Sequence, residues 1–146
     1  MPTFVKINDF VEDIGKGVHN LSTGVLKLAL SNTAPGSEAP DPTTSGNGVV
    51  ANVTQIAYTN VSGGQPTLAS ITFTETGGTA TLDAADEVIL ASGGAVPTFR
   101  YIYLFNDTPT SPADPLIGYW DNGSAIDLAD TESLTWTVDT NILTIT

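Results

Sequence analysis

The chain holds one histidine, His19, and no cysteine among its 146 residues. A Ser-His-Asp triad has to run through that imidazole, because the serine needs a base within hydrogen-bond reach. No G-x-S-x-G elbow supplies such a serine. Thiol nucleophiles, thiolate metal sites and disulfides are excluded, and one histidine without cysteine is a poor donor set for zinc. His19 comes after an amphipathic segment and reads as a residue that caps helix carbonyls or hydrogen-bonds locally. Neither catalysis nor a cofactor nor a resident metal is expected.

Sixteen acidic side chains face four basic ones, a formal charge of −12. At that density carboxylate pairs with glycosidase spacing arise by chance. No acid is embedded in an apolar run that would raise its pKa for general-acid work. Asp107, Asp114, Asp121, Asn122, Asp127, Asp130, Glu132, Asp139 and Asn141 gather at turns. Loop oxygens suit calcium, but the spacing D-x-[DN]-x-[DN]-G is absent, and Asp and Asn are ordinary turn residues. With so few cations the chain is unsuited to neutralising phosphates, so neither nucleic acid nor a membrane surface is an expected partner. Arg100 stands out, mid-strand among aromatics. It reads as half of a structural ion pair or as a stack on a Tyr ring; the alternative is a salt bridge across a subunit interface.

The elements that position these residues can be read from periodicity. Ile7, Phe10, Val11, Ile14, Val18 and Leu21 keep helical spacing. A short helix is expected near 8–15, with Asn8 as its N-cap and Asp9, Glu12 and Asp13 at the positive end of its dipole. Gly15 and Gly17 weaken the second half of the segment. Its apolar stripe reads as the cover of one end of a sheet, or as a partner-binding face. Leu26, Leu28 and Leu30 alternate with Val25, Lys27 and Ala29, the mark of a strand with one face inward. Residues 33–48 carry three prolines, three glycines and few apolar side chains, which predicts a long exposed loop.

Residues 49–57 are ambiguous between helix and strand. Strand signals then run through Ala69, Ile71 and Phe73, a Gly77-Gly78 turn, Ala80 and Leu82, and Val88 with Leu90. Residues 98–106 are apolar on both faces: Phe99, Tyr101, Tyr103 and Phe105 on one, Ile102 and Leu104 with Arg100 on the other. Such a strand is central, or lies between its own core and a neighbouring subunit. Asn122-Gly123 predicts a type I′ turn. Leu134, Trp136 and Val138 form a further strand, and Asp139-Thr140-Asn141 turns the chain into a last strand at 142–146. Thr is the commonest residue, with 22 copies, and Gly and Pro add 23 more, a composition of pleated surfaces and turns. The expected fold is mainly β: one antiparallel β-sandwich domain over 1–146, jelly-roll-like or Greek key, with one or two short helices near the N-terminus. No apolar run approaches the length of a membrane helix, and the N-terminus does not read as a signal peptide. Five N-x-S/T sequons, at Asn20, Asn52, Asn60, Asn106 and Asn122, read as chance products of the composition.

Three stretches resemble a group of small virion proteins from tailed bacteriophages: FVEDIGKGVHNL at 10–21, FRYIYLFNDT at 99–108 and PLIGYWDNGSAIDL at 115–128. The resemblance spans both ends of the chain and leaves out the region between. It implies a virion structural protein assembled in the host cytoplasm, foremost a capsid decoration or cement protein. Such a protein binds the shell as a homo-oligomer, usually a trimer, with the major capsid protein or another virion protein as partner. It ties no residue to an activity. The residues expected at core or interface are Phe10, Val11 and Ile14 of the helix, Phe99, Arg100, Tyr101, Tyr103 and Phe105 of the aromatic strand, and Trp120, with Trp136 beside them. The N-terminal arm and helix 1–21 and the loop 33–48 are the candidates for shell contact. The alternative is a phage tail or host-recognition module that binds carbohydrate near Tyr58, Tyr119 and Trp120, with calcium in the acidic loops. A small hydrolase, the third class, requires His19 to line a pocket with two carboxylates.

Overall fold

The computed structural model describes residues 2–138 and 141–146, so the turn expected at Asp139 and Thr140 lies outside the described residues. The fold is a mainly β, antiparallel sandwich with one short N-terminal helix. The strands are β1 (Phe4–Lys6), β2 (Leu26–Ser31), β3 (Thr72–Thr76), β4 (Thr79–Asp83), β5 (Glu87–Leu90), β6 (Val96–Asn106), β7 (Leu116–Leu128), β8 (Ser133–Trp136) and β9 (Leu143–Ile145). Helix α1 (Asn8–Gly15) sits between β1 and β2. The largest sheet has the order β1-β7-β6-β2; β3-β4-β9 and the ribbon β5-β8 complete the described strands.

The main core lies between the four-stranded sheet and the two smaller ones. Leu26, Leu28 and Leu30 of β2, Ile102 and Leu104 of β6, and Ile117 and Trp120 of β7 meet Leu82, Ile89, Trp136 and Leu143 from the opposite layer. Trp120 bridges the layers, 4.7 Å from the Phe4 ring and edge-on to Trp136 at 5.8 Å. Gly118 lets β1 in: a Cβ there would collide with the Phe4 ring and lie 2.6 Å from the Val5 carbonyl oxygen.

Three places differ from the pattern read in the sequence. Phe99 lies in the main core with Ile102 and Leu104, away from Tyr101, Tyr103 and Phe105. The ladder explains it: register shifts flank Phe99, which pairs with Ile126 while Tyr101 pairs with Asp121. Asn122-Gly123 supplies the surplus residues as a bulge inside β7 instead of a hairpin turn, with Gly123 at φ +81° and its N–H donating to Asp121 Oδ1. Strand β5 points Ile89 inward, leaving Val88 55% and Leu90 37% exposed.

The second face of the large sheet is also covered, and by this same chain. Ala29, Tyr101, Tyr103, Phe105 and Leu116 pack under Ile7, Val50 and Val53, with Ala34 against them. Strand β2 is therefore buried on both sides. Residues 33–57, expected as a free loop in their first part, straddle this face. Leu116 N–H donates to Gly48 O (2.8 Å) at one end, and Ile56 N–H to Leu30 O (2.9 Å) at the other. Two carboxylates clamp the crossing. Asp9 accepts from Gly46 N–H and Gly48 N–H at 2.9 Å. Buried Glu38 accepts from Thr54 N–H (2.8 Å) and Thr54 Oγ1 (2.6 Å). Asn8 is not the N-cap: Ile7 holds that position, extended, and no side chain caps the turn. Replacing Asp9 with Ala removes the acceptor for two loop amides, and charge-assisted bonds of this kind contribute about 1–2 kcal/mol where partly exposed. Urea denaturation is expected to show a loss of that size, with faster amide exchange at Gly46 and Gly48.

Candidate functional site

The residues singled out in the sequence separate into two groups. Phe10, Phe99, Tyr101, Tyr103, Phe105 and Trp120 are buried inside the chain. Of the two readings, core or interface, the structure places them in the chain's own core, where the second side of β6 has its cover. Arg100 is tied within the chain, its Nε and Nη2 donating to Asp121 Oδ1 and Oδ2 at 2.7 and 2.9 Å, with the guanidinium 5.2 Å from the Tyr101 ring centroid. The Arg100 hydrogen bonds hold the Asp121 carboxyl below the usual range. That leaves Val11, 62% exposed, and half-buried Ile14 on α1.

These two face a surface built from both ends of the chain. Helix α1 ends where Gly17 takes φ +72°, and Val18 N–H returns to Asp13 O. Strand β9, held by β4, runs alongside. Between them lies a groove lined by Lys6, Phe10, Val11, Ile14 and Thr144–Thr146. It continues past Ile14 and Ile145 into a hollow of about 510 Å³, which Leu21, Phe73 and His19 help to line. In the N-terminal arm, β1 is an edge strand paired to β7.

His19 caps nothing. Its ring packs on Phe10 at 5.2 Å between centroids, it is buried, and neither ring nitrogen has a partner among the described residues. Burial alone pushes its pKa down from 6.5 to about 4. Among the described residues no carboxylate lines the hollow beside it. On α1 itself, burial, reinforced by Asp9 and Glu12 against Lys16, raises the Asp13 carboxyl.

The acidic turns are occupied by their own backbone and neighbours. Asp107 pairs with Lys27 at 2.6 Å. Asp130 accepts from Gly93 and Gly94 N–H, Glu132 from Ala129 N–H, and Asp127 from the Thr98 hydroxyl. Burial and the neighbouring Asp107 raise the Asp114 carboxyl. Among the described residues no three His, Asp or Glu side chains converge on a metal position. Nor do the aromatics of the carbohydrate reading form an open platform. Trp120 is buried, the Tyr58 hydroxyl accepts from Leu30 N–H and donates to Gln55, and Tyr119 lies 5.5 Å from Tyr103.

Sequence reasoning missed Asp9 and Glu38 as clamps. Their partners lie 37 and 39, and 16, residues away, beyond any local motif. Compared with protein-family models, curated proteins and solved structures, the chain matches none. The architecture itself defines the class: a mainly β sandwich with an apolar surface at its helix.

Stability depends on pH through His19. The unfolded imidazole gains a proton as pH falls through 6.5, whereas the folded one stays neutral down to about 4. The His19 contribution is therefore intact above pH 6.5 and is lost between 6.5 and 4, at most about 1.4 kcal/mol per pH unit. A His19→Leu variant is expected to be as stable as the parent at pH 7, having no unpaired ring nitrogens to bury. It should lose less stability than the parent across that window in denaturant titrations; equal slopes would contradict this assignment.

Proposed function

We propose that this chain is a bacteriophage virion structural protein, a capsid decoration or cement protein that seats on the shell as a homo-oligomer. The observation that carries the reading is where chemistry is left available. The acids are engaged in closing turns and clamping the loop over the sheet, while the helix presents Val11 and Ile14 beside an apolar hollow. An uncovered apolar patch on an otherwise polar domain marks a place where another surface docks. The resemblance of 10–21, 99–108 and 115–128 to small phage virion proteins supplies the setting; two of these stretches are core strands and the first is the helix with its exposed face. The partner on the shell is the major capsid protein, or another virion protein. A charge of −12 keeps free copies apart before assembly.

The test is co-sedimentation of purified protein with undecorated shells of the phage that encodes it. Saturable binding at a fixed number of copies per shell is expected, with the shells then surviving more heat or chaotrope. Failure to bind shells, together with binding to isolated tails, would move the protein to the tail.

A further inference from the structure

The dipeptide Asn-Gly occurs at Asn47-Gly48 and at Asn122-Gly123. Asparagine is among the thermally labile residues, and a following glycine exposes its weakness. Glycine has no Cβ to shield its backbone nitrogen. That nitrogen can attack the side-chain carbonyl carbon of the asparagine before it. Whether it does depends on where the fold holds the two groups.

The two copies are held in opposite ways. Asn47 turns backward along the chain, its Nδ2 donating to Thr44 Oγ1 at 2.9 Å. Gly48 is buried, and its N–H donates to Asp9 Oδ2 at 2.9 Å. A Cβ at Gly48 would lie only 2.9 Å from that same oxygen, so the nitrogen has no room to move. Asn122 turns forward instead. Its Nδ2 donates to Ser124 O at 3.0 Å and, more weakly, to Ser124 Oγ at 3.5 Å. To reach residue 124 the carboxamide must lie along the Gly123 backbone. Gly123 is exposed, takes φ +81°, and has open space where a side chain would stand. Its N–H donates to Asp121 Oδ1 at 2.8 Å, so a carboxylate already polarises the bond that gives up its proton. The site sits in the β7 bulge, between the pairs Tyr101–Asp121 and Phe99–Ile126, where the ladder is interrupted and the backbone can shift.

We infer that Asn122-Gly123 is a self-modification site, where the folded chain converts Asn122 to aspartyl and isoaspartyl residues. The Gly123 nitrogen bonds to Asn122 Cγ, and the Cγ–Nδ2 bond breaks. The Gly123 amide proton ends on the departing nitrogen, which leaves as ammonia. Water then opens the cyclic imide, its oxygen going to a carbonyl carbon and its proton to the Gly123 nitrogen. Opening at Cγ gives aspartate; opening at the main-chain carbonyl gives isoaspartate, with the backbone rerouted through the side chain. Nothing is oxidised or reduced. Either product sets a new carboxylate beside Asp121 and adds a negative charge to the −12 of the chain. That carboxylate competes for Arg100, whose Nε now donates to Asp121 at 2.7 Å. The isoaspartyl product also lengthens the main chain of β7 inside the bulge. The inference goes beyond the virion role and does not depend on it.

Peptide-resolved mass spectrometry of the full chain, incubated near neutral pH with a parallel sample in guanidinium chloride, tests it. In the folded chain the peptide holding Asn122 is expected to gain the mass difference between –NH2 and –OH. An isoaspartyl-specific methyltransferase should label part of the product. Asn47 reacts only after its loop opens, so it should convert at least about tenfold more slowly, the factor set by an opening cost of about 1.4 kcal/mol. In denaturant the two sites should convert at similar rates, since the fold no longer separates them. Asn122→Gln should abolish the mass gain in that peptide. The inference is overturned if Asn122 converts no faster than Asn47 in the folded chain. It is equally overturned if Asn122 stays intact there while the denatured sample converts.

Discussion

The structure depends on covering strand β6 twice. From Tyr101 to Asn106 every residue of that strand is buried, and its apolar side chains go alternately to two cores. Fully burying each large apolar side chain stabilises the fold by about 1.5–3 kcal/mol, and this holds only while both faces stay covered. One cover is conventional: the smaller sheets and Trp136. The other is residues 33–57, which lack a strand ladder of their own. Their amides and carbonyls need partners from elsewhere, because a buried unpaired backbone group costs as much as a lost hydrogen bond. Asp9 and Glu38 provide them, and the strands β2 and β7 accept or donate at the two ends of the crossing.

That arrangement reassigns the acidic character of the chain. Several carboxylates accept backbone N–H groups, where a charged acceptor makes a stronger bond than a neutral one. Where a carboxylate meets a cation the pair lies within the chain's own elements: Lys16–Glu12 at the helix, Arg100–Asp121 across the neighbouring strands β6 and β7. The same arrangement shifts attention from the aromatic strand to the helix. A residue already sealed in its own core is not available to a neighbour, whereas Val11 and the hollow beside Ile14 are. Sealing also has its exceptions: both His19 ring nitrogens, the Tyr103 hydroxyl, Asn106 Nδ2 and Trp136 Nε1 are buried without a partner among the described residues. In His19 the consequence is a ring that stays neutral well into acid.

Much of the architecture was legible locally. The helix at 8–15, the leucine strand, the Gly77-Gly78 hairpin and the aromatic strand all appear where periodicity placed them. Each is specified by side chains within a few positions, which is what propensity and alternation report. The failures share one cause. Asn122-Gly123 has the chemistry of a hairpin turn, yet both flanks stay paired to β6, so the surplus residues bulge and Phe99 changes face. Val88 and Leu90 outnumber Ile89 as apolar side chains, but β5 is oriented by its pairing with β8. Asn8 resembles a cap, but the chain enters α1 from a strand whose ladder ends on Ile7 N–H.

Sequence alone determined the mainly β antiparallel class, the position of the helix, the absence of thiol chemistry and the two-sided character of residues 98–106, because composition and short-range spacing carry that information. Tertiary structure decided what covers the second side. Whether a doubly apolar strand meets its own loop or a neighbouring subunit turns on contacts between residues 9, 38, 46–54 and 101–105, which are distant along the chain. No local pattern encodes those distances; they are set only when the loop has crossed the sheet and its backbone groups have found the two carboxylates.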